Sequence, residues 1–281
     1  MRQVHERLGL ARETVLTLTG LDLPDDTDAN AVLDSEALRL FTARAARVDR
    51  SFTIRPADVR HALEICRLVE CAPLGIELAA AAVRHYSLAE LAAGLRAATL
   101  DLSTSAADLP PRHRSLRAAF DHTVALLTAD EAAALSRLSV FRGGFDRSAA
   151  SYVAGVSSPL LAAFVDRSLV RRHPSGRFGV HALLKRFLGS TLASHPDEPK
   201  ATHVRHREFY AALLDDPGSR AEGAAFGAWL RAVTDEIGNV AAALERAASH
   251  GEAVQGLRMV GRLSNVWTAR GYMRQGLAHV E

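Results

Sequence analysis

The chain has only two cysteines among 281 residues, Cys66 and Cys71. Five positions apart, they form neither a CxxC pair nor a disulfide framework, and a reducing, cytoplasmic setting is the simplest reading. Aromatic residues are scarce at 6%, while Ala and Leu dominate, which favours helix over sheet. Lysine occurs only at Lys185 and Lys200, so the positive charge is nearly all arginine. The net charge of +2 does not by itself mark a nucleic-acid binder. No long hydrophobic run exists. The longest, residues 73–83, contains Glu77 and is too short to span a bilayer. The first fifteen residues carry no apolar core of a secretory leader, so no membrane partner is expected.

Sequence motifs for chemistry are absent as well. There is no GxxxxGK[ST] to cradle a triphosphate, no GxGxxG after a strand, no GxSxG and no HExxH. His203 and His206, with His195 nearby, have a spacing that could share a helix face and bind a metal. No carboxylate or thiol stands at a ligand spacing from them in the sequence, and solvated surface histidines are the simpler reading. Ser115, Asp121 and His122 are not ordered into a nucleophile, base and orienting group. No catalytic residue and no metal site are expected, and the chain does not read as an enzyme.

What is present is a succession of helix signals. Residues 1–34 read as one short strand at 15–19 and a polar linker. From Ser35 the pattern turns helical. Ser35 can cap a helix to about residue 48, and Pro56 and Pro73 sit at first turns of later helices. Ser87 and Glu90 form a capping box. These make an all-α unit at 35–98, followed by a linker at 99–114. A second unit at 115–195 has helices at about 115–127, 128–138, 146–154 and 158–167. A strand-like run, a Pro174-Ser-Gly176 turn and a return strand come next, with a helix from residue 182. Helices followed by a two-stranded ribbon is the order of a winged helix. Segments at 200–214, 225–248 and 252–269 have 3.6-residue apolar faces and look like the start of a helical-hairpin repeat array. The fold class expected is mainly α, with a small β-hairpin.

The winged-helix order raises DNA binding as one reading. Arg167 ends the recognition helix, and the wing supplies Arg171, Arg172 and Arg177, which could reach phosphates. The helix itself, Pro-Leu-Leu-Ala-Ala-Phe-Val-Asp-Arg, has almost no donors for base edges. A packing or regulatory role is favoured over base reading. A third reading is a protein-binding scaffold at 200–281, with Trp229, Trp267 and Tyr272 as anchors or as core.

Four segments, in order, carry a family resemblance. Cys71-Ala-Pro-Leu-Gly-Ile-Glu-Leu-Ala-Ala-Ala resembles the "GLPLAIELAAA" segment of the STAND-class signalling ATPases, also called NB-ARC or AP-ATPases. Residues 112–121 and 127–145 are similar to the start of the winged helix in the large bacterial regulators of that class, which often carry LuxR-type or SARP-type DNA-binding domains elsewhere. Leu161-Ala-Ala-Phe-Val-Asp-Arg-Ser-Leu-Val matches the same domain's "LxxLVDKSLV" run. Residues 229–244 resemble the "WLxxLxxExxNLxAAL" helix that precedes the helical repeats.

The resemblance implies a non-catalytic regulatory portion of such a protein: a helical lid, a winged helix and the beginning of a TPR-like array. Residues 1–34 would be a remnant of the nucleotide-binding domain, whose P-loop lies elsewhere. ADP or ATP is implied only together with that domain. By resemblance Pro73 and Leu74 would lie near the adenine and His181 near the ADP β-phosphate. Arg2, or His5, would stand where the family senses the terminal phosphate. The sequence departs from the pattern at Cys71 and Ala72, and Ala182 replaces an aspartate. The implied partners are the nucleotide-binding part or another protein, with DNA as an alternative.

Overall fold

Thirteen α-helices and one two-residue hairpin make up the described parts of a computed structural model, residues 20–23, 34–97, 100, 102–103, 115–195, 197–215 and 222–270. The segment read as a strand at 15–19, Arg2 and His5 lie outside the described residues, as does Tyr272. The chain divides into two units. One comprises Glu6–Ala129 with His181–Phe187, the other Met1–His5, Asp130–Val180 and Leu188–Glu281.

The first unit is built on helix starts that the local sequence dictates. Helix α1 (Glu36–Val48) follows Ser35 and buries Leu38, Phe41 and Ala45 on one face. Pro56 opens a 3-10 turn that runs into α2 (Val59–Leu68). Pro73 occupies the first turn of α3 (Pro73–Ala81), where its missing N–H costs nothing. Ahead of α4 (Leu88–Arg96) both capping-box bonds form: Ser87 Oγ accepts from Glu90 N, and the Glu90 carboxylate accepts from Ser87 N. Such a cap contributes about 1 kcal/mol. Helix α1 packs on α3 and α2 on α4. Their core holds Leu38, Phe41, Ile65, Ile76, Leu91 and Leu183, each of which is buried.

Helix α5 (Leu116–Val124) is capped by Ser115, whose Oγ accepts from Ala118 N at 2.9 Å. Sequence order alone assigns it to the winged helix. In the structure it belongs to the first unit: Phe120 packs against that core, with its ring 5.7 Å from the Phe187 ring.

The second unit contains α6 (Ala129–Arg137, from Asp130 onward), α7 (Arg147–Ala154), α8 (Ser158–Asp166), β1 (Arg171–Arg172) and β2 (Phe178–Gly179). Asp146 caps α7, accepting from Ala149 N at 2.7 Å. Gly155, at φ +69°, ends it in the left-handed conformation that glycine adopts without a Cβ penalty. Ser157 then caps α8. The two helices bend by 105°, a helix-turn-helix angle. Strands β1 and β2 pair antiparallel, Arg172 opposite Phe178. Phe145 adds a further bridge to Phe178, exchanging two 2.8 Å bonds. In chain order, α7 and α8 are followed by the β1–β2 hairpin.

Helix α9 (Ala182–Ala193) starts in the first unit and from Leu188 counts with the second. The second unit continues through α10 (Glu198–Leu214), α11 (Gly223–Asp235), α12 (Ile237–Ser249) and α13 (Ala253–Arg270). The amphipathic stretch that reads as one helix at 225–248 is two, separated at Glu236 (φ −102°, ψ 7°). Phe141, Phe145 and Phe164 are buried with Tyr210, Trp229 and Val240. Trp229 is core: it is 4% exposed and its indole N–H donates to Leu213 O at 3.1 Å. The Trp267 side chain is outside the described residues. No single described helix is long and apolar enough to cross a membrane.

Candidate functional site

Two clusters of polar groups are built into the fold, one in each unit. In the first unit, α2 ends in a tight reversal. Cys71 N donates to Cys66 O at 2.8 Å and Glu70 N to Arg67 O at 2.8 Å. Glu70 (φ +51°) and Cys71 (φ +55°) both occupy the left-handed region, which residues with a Cβ enter at a cost. Gly20 makes this turn's close approach possible. A Cβ there would lie 2.3 Å from Glu70 O, while the next residue, Leu21, donates its N–H to Cys71 O at 2.9 Å. Pro73 follows, exposed, and Leu74 is half-buried against the core.

This reversal aims the Glu70 carboxylate at the start of α9. One oxygen accepts from Ala182 N at 2.5 Å, and the other lies 3.2 Å from His181 Nε2. His181 Nδ1 accepts from Leu183 N at 3.2 Å. That bond uses Nδ1 as an acceptor, and the Nε2 approach to Glu70 is a charge contact without hydrogen-bond geometry. A helix N-terminus presents free N–H groups and positive potential, and here a side-chain carboxylate satisfies the first of them, Ala182 N. The structure thus joins His181 to the turn just before Pro73 and Leu74. Glu70 takes the Ala182 N–H and lies in charge contact with His181, so a carboxylate already stands at this helix end. The cluster sets the chain's own Glu70 carboxylate beside the His181 imidazole.

Burial pushes the Cys66 thiol up to about 12, with neighbouring Cys71 adding to the effect, and burial also raises Cys71. Neither thiol has the low pKa of a reactive cysteine.

In the second unit Arg177, in the connection between β1 and β2, meets the turn between α11 and α12. Arg177 donates to Glu236 Oε1 at 2.5 Å and to Gly144 O at 2.7 Å. Asn239, 1% exposed, donates to Gly144 O at 2.9 Å and to Glu236 Oε2 at 2.6 Å, and accepts from Arg142 N at 2.7 Å. Arg142 pairs bidentately with Glu245. The hydrogen bond to Glu236 raises the Arg177 pKa further, and that to Glu245 does the same for Arg142. A cavity of about 400 Å³ beside Arg177 is walled by Asp146, Phe209, Leu213, Asp235 and Glu236. Its carboxylates repel a phosphate backbone.

The remaining arginines singled out for DNA are placed as follows. Arg167 lies 3.4 Å from Glu131. Arg171 and Arg172 are exposed on β1. The outward face of α8 carries Ser158, Pro159, Ala162 and Asp166, while Leu161 and Phe164 are buried. None of those four outward side chains is an Arg, Lys, Asn or Gln that could read a base edge.

His206 is not a surface residue: it is 2% exposed, with its ring 5.5 Å from Phe141 and 4.8 Å from Tyr210. Burial, then Arg246, lowers His203 to about 4. Among the described residues no group of three potential metal ligands occurs. Ser115 serves as a cap and Asp121 lies 3.9 Å from Arg117, so they share no chain with His122. Sequence reasoning missed Glu70 and the Glu236–Asn239 pair. The first had no local signal. The second lies in Asp235-Glu-Ile-Gly-Asn239, whose glycine and polar residues interrupt an apolar helix pattern.

No family model matches the chain. It is 32% identical over 98% of its length to a protein of Mycobacterium tuberculosis named "Putative HTH-type transcriptional regulator", and equally to one of that name from Mycobacterium bovis. It spans 31% of the length of these curated relatives. A second Mycobacterium tuberculosis protein, named only as uncharacterized, is 36% identical over 53% of the chain and 35% of its own length.

Proposed function

We propose that this chain works in transcriptional regulation, as a control segment that holds other parts in place and does not itself read DNA sequence. The observation that carries the second half of this reading is the outward face of α8. A recognition helix needs donors there, and Ser158, Pro159, Ala162 and Asp166 supply none for base edges. The regulatory half is supported by similarity along almost the whole chain to proteins named as transcriptional regulators. The resemblance to STAND-class regulators adds a finer role, in which lid and winged helix close over a nucleoside diphosphate held by a separate domain. The chain would then have no catalysis of its own.

A second reading is direct DNA contact by the winged helix, favoured by the helix-turn-helix wording of the relatives' names. The wing arginines Arg171 and Arg172 are exposed, and such contacts would be made to phosphates. Fluorescence anisotropy with mixed-sequence duplexes at low salt separates the two. The control reading expects no saturable binding. Binding that weakens steeply with added salt would instead install the winged helix as the DNA-contacting part. Transcript profiles of cells with and without the gene test the shared premise, and unchanged profiles would sink it.

A further inference from the structure

We infer that Cys66 and Cys71 form a latent disulfide pair at the end of α2, closed by a peroxide and reopened by thiols, with the fold around them kept. The inference goes beyond the regulatory reading and does not depend on it.

A spacing of five matches no familiar thiol motif in sequence, but the backbone closes the gap. Cys71 N donates to Cys66 O at 2.8 Å, Glu70 N donates to Arg67 O at 2.8 Å, and Glu70 is left-handed at φ +51°. That pair of bonds around a left-handed residue is the Schellman helix end. In it the side chains of the first and sixth residues, here the two cysteines, meet on one side of the turn. Standard bond lengths across the Cys71–Cys66 hydrogen bond keep the two Cα atoms within about 6.7 Å of each other. A disulfide spans Cα separations up to about 6.8 Å. The packing agrees, since Cys66 belongs to the buried core of this unit and Cys71 packs against that core. After burial, the neighbouring Cys71 is the further cause that raises the Cys66 pKa, so the two sulfurs lie within reach of each other's charge.

Cys71 is the thiol that an oxidant meets first. It is half-buried, and Arg67 favours its thiolate against the burial that raises its pKa. The Cys71 thiolate attacks one peroxide oxygen, the O–O bond breaks, hydroxide leaves, and a sulfenic acid forms. The Cys66 thiolate then attacks the Cys71 sulfur. The S–S bond forms, the S–O bond breaks, and a second hydroxide leaves. Both hydroxides take up the two thiol protons as water, so two thiols pass two electrons to one hydrogen peroxide. Cys66 is fully buried with a raised pKa, so its step waits on local opening of the helix end and is slow. Proximity supplies what acidity does not, because the second thiol needs no encounter from solution. The closed bridge would brace a turn on which other segments rest: Leu21 N donates to Cys71 O at 2.9 Å, and Glu70 receives Ala182 N.

The test treats the full chain with hydrogen peroxide, alkylates the remaining thiols in denaturant and digests with trypsin without reduction. Arg67 lies between the two cysteines, so cleavage leaves Cys66 in residues 61–67 and Cys71 in residues 68–84. The expected product is these two peptides joined to each other, lighter by two hydrogens than their sum and lost on treatment with dithiothreitol. Circular dichroism of the oxidised chain should match that of the reduced one. Equilibration with reduced and oxidised glutathione should favour the bridge by about tenfold or more in the folded chain over the chain in concentrated urea. Cys66→Ala should stop at a Cys71 sulfenic acid, trapped by dimedone. Peroxide-treated wild type whose cysteines both remain open to alkylation overturns the inference. So does a product holding only sulfinic acids or bridges between separate chains, or a bridged chain that has lost its helices. An equal or weaker preference for the bridge in the folded chain than in urea overturns it as well, because the helix end would then not hold the two sulfurs together.

Discussion

Asn239 donates its side-chain N–H to the carbonyl of Gly144, 95 residues earlier in the chain, and so ties the start of α12 to the turn between α6 and α7. The same amide accepts from Arg142 N and donates to Glu236, whose carboxylate receives Arg177 from the β1–β2 hairpin. The turn before α7, the β1–β2 hairpin and α12 are thus cross-linked by one buried amide within one unit.

Removing that amide should be costly. Asn239→Ala leaves Gly144 O, Arg142 N and Glu236 with one partner fewer each in a buried setting. A loss of about 2–4 kcal/mol is expected. Urea unfolding followed by the fluorescence of the buried Trp229 measures it. A loss under about 1 kcal/mol would mean that water replaces the amide without strain.

Gly238 is the second sensitive position. An added Cβ would stand 2.8 Å from Arg142 O, a backbone atom that cannot rotate away. Gly238→Ala should destabilise by about 1–3 kcal/mol, although alanine favours helix elsewhere. The same substitution at Gly261, where an added Cβ meets nothing within 4 Å, should be neutral or stabilising. Thermal melts of the two variants test the contrast.

His203 should make stability depend on pH. Burial, Arg246 and His250 lower it to about 4, outweighing Glu252, from a usual value of 6.5. Between those values the unfolded chain binds more protons than the folded one, so stability falls as pH drops from 6.5 toward 4. Below that the contribution is exhausted. His203→Gln should reduce the difference between urea midpoints at pH 7 and pH 5. An unaltered difference would place the titration on another histidine.

The two thiols should react in sequence. Cys71 is half-buried and Cys66 fully buried. A chromogenic disulfide reagent at pH 8 should label Cys71 first and Cys66 on the timescale of local opening. Cys66→Ser should abolish the slow phase and keep the fast one.

Helix starts were legible where a short-range rule decides them. Pro56, Pro73 and the Ser87–Glu90 box act within one turn, and the structure places helices at each. The hairpin at Pro174-Ser-Gly176 was legible for the same reason. What could not be read were pairings between residues distant in sequence. Arg177 has the composition of a phosphate contact, but its carboxylate partner stands 59 residues later. Glu70 lies in a turn whose positive φ values no glycine announces. The break at Glu236 lies at the polar, glycine-containing Asp235-Glu-Ile-Gly-Asn239, but the 3.6-residue apolar faces on either side of it read as one helix. Helix α5 carries a winged-helix-like sequence, yet Phe120 finds its core in the other unit.

The outward face of α8 has a consequence for how this module can change. Leu161 and Phe164 anchor the helix from its inner side, so fold and outer surface are set by separate positions. Substitutions at Ser158, Ala162 and Asp166 should each shift stability by no more than about 0.5 kcal/mol. Random drift, or a designer, can therefore write arginines and asparagines there one at a time without passing through an unfolded form. A helix with such a blank face lies a few neutral steps from acquiring an address on DNA, and equally few steps from losing one.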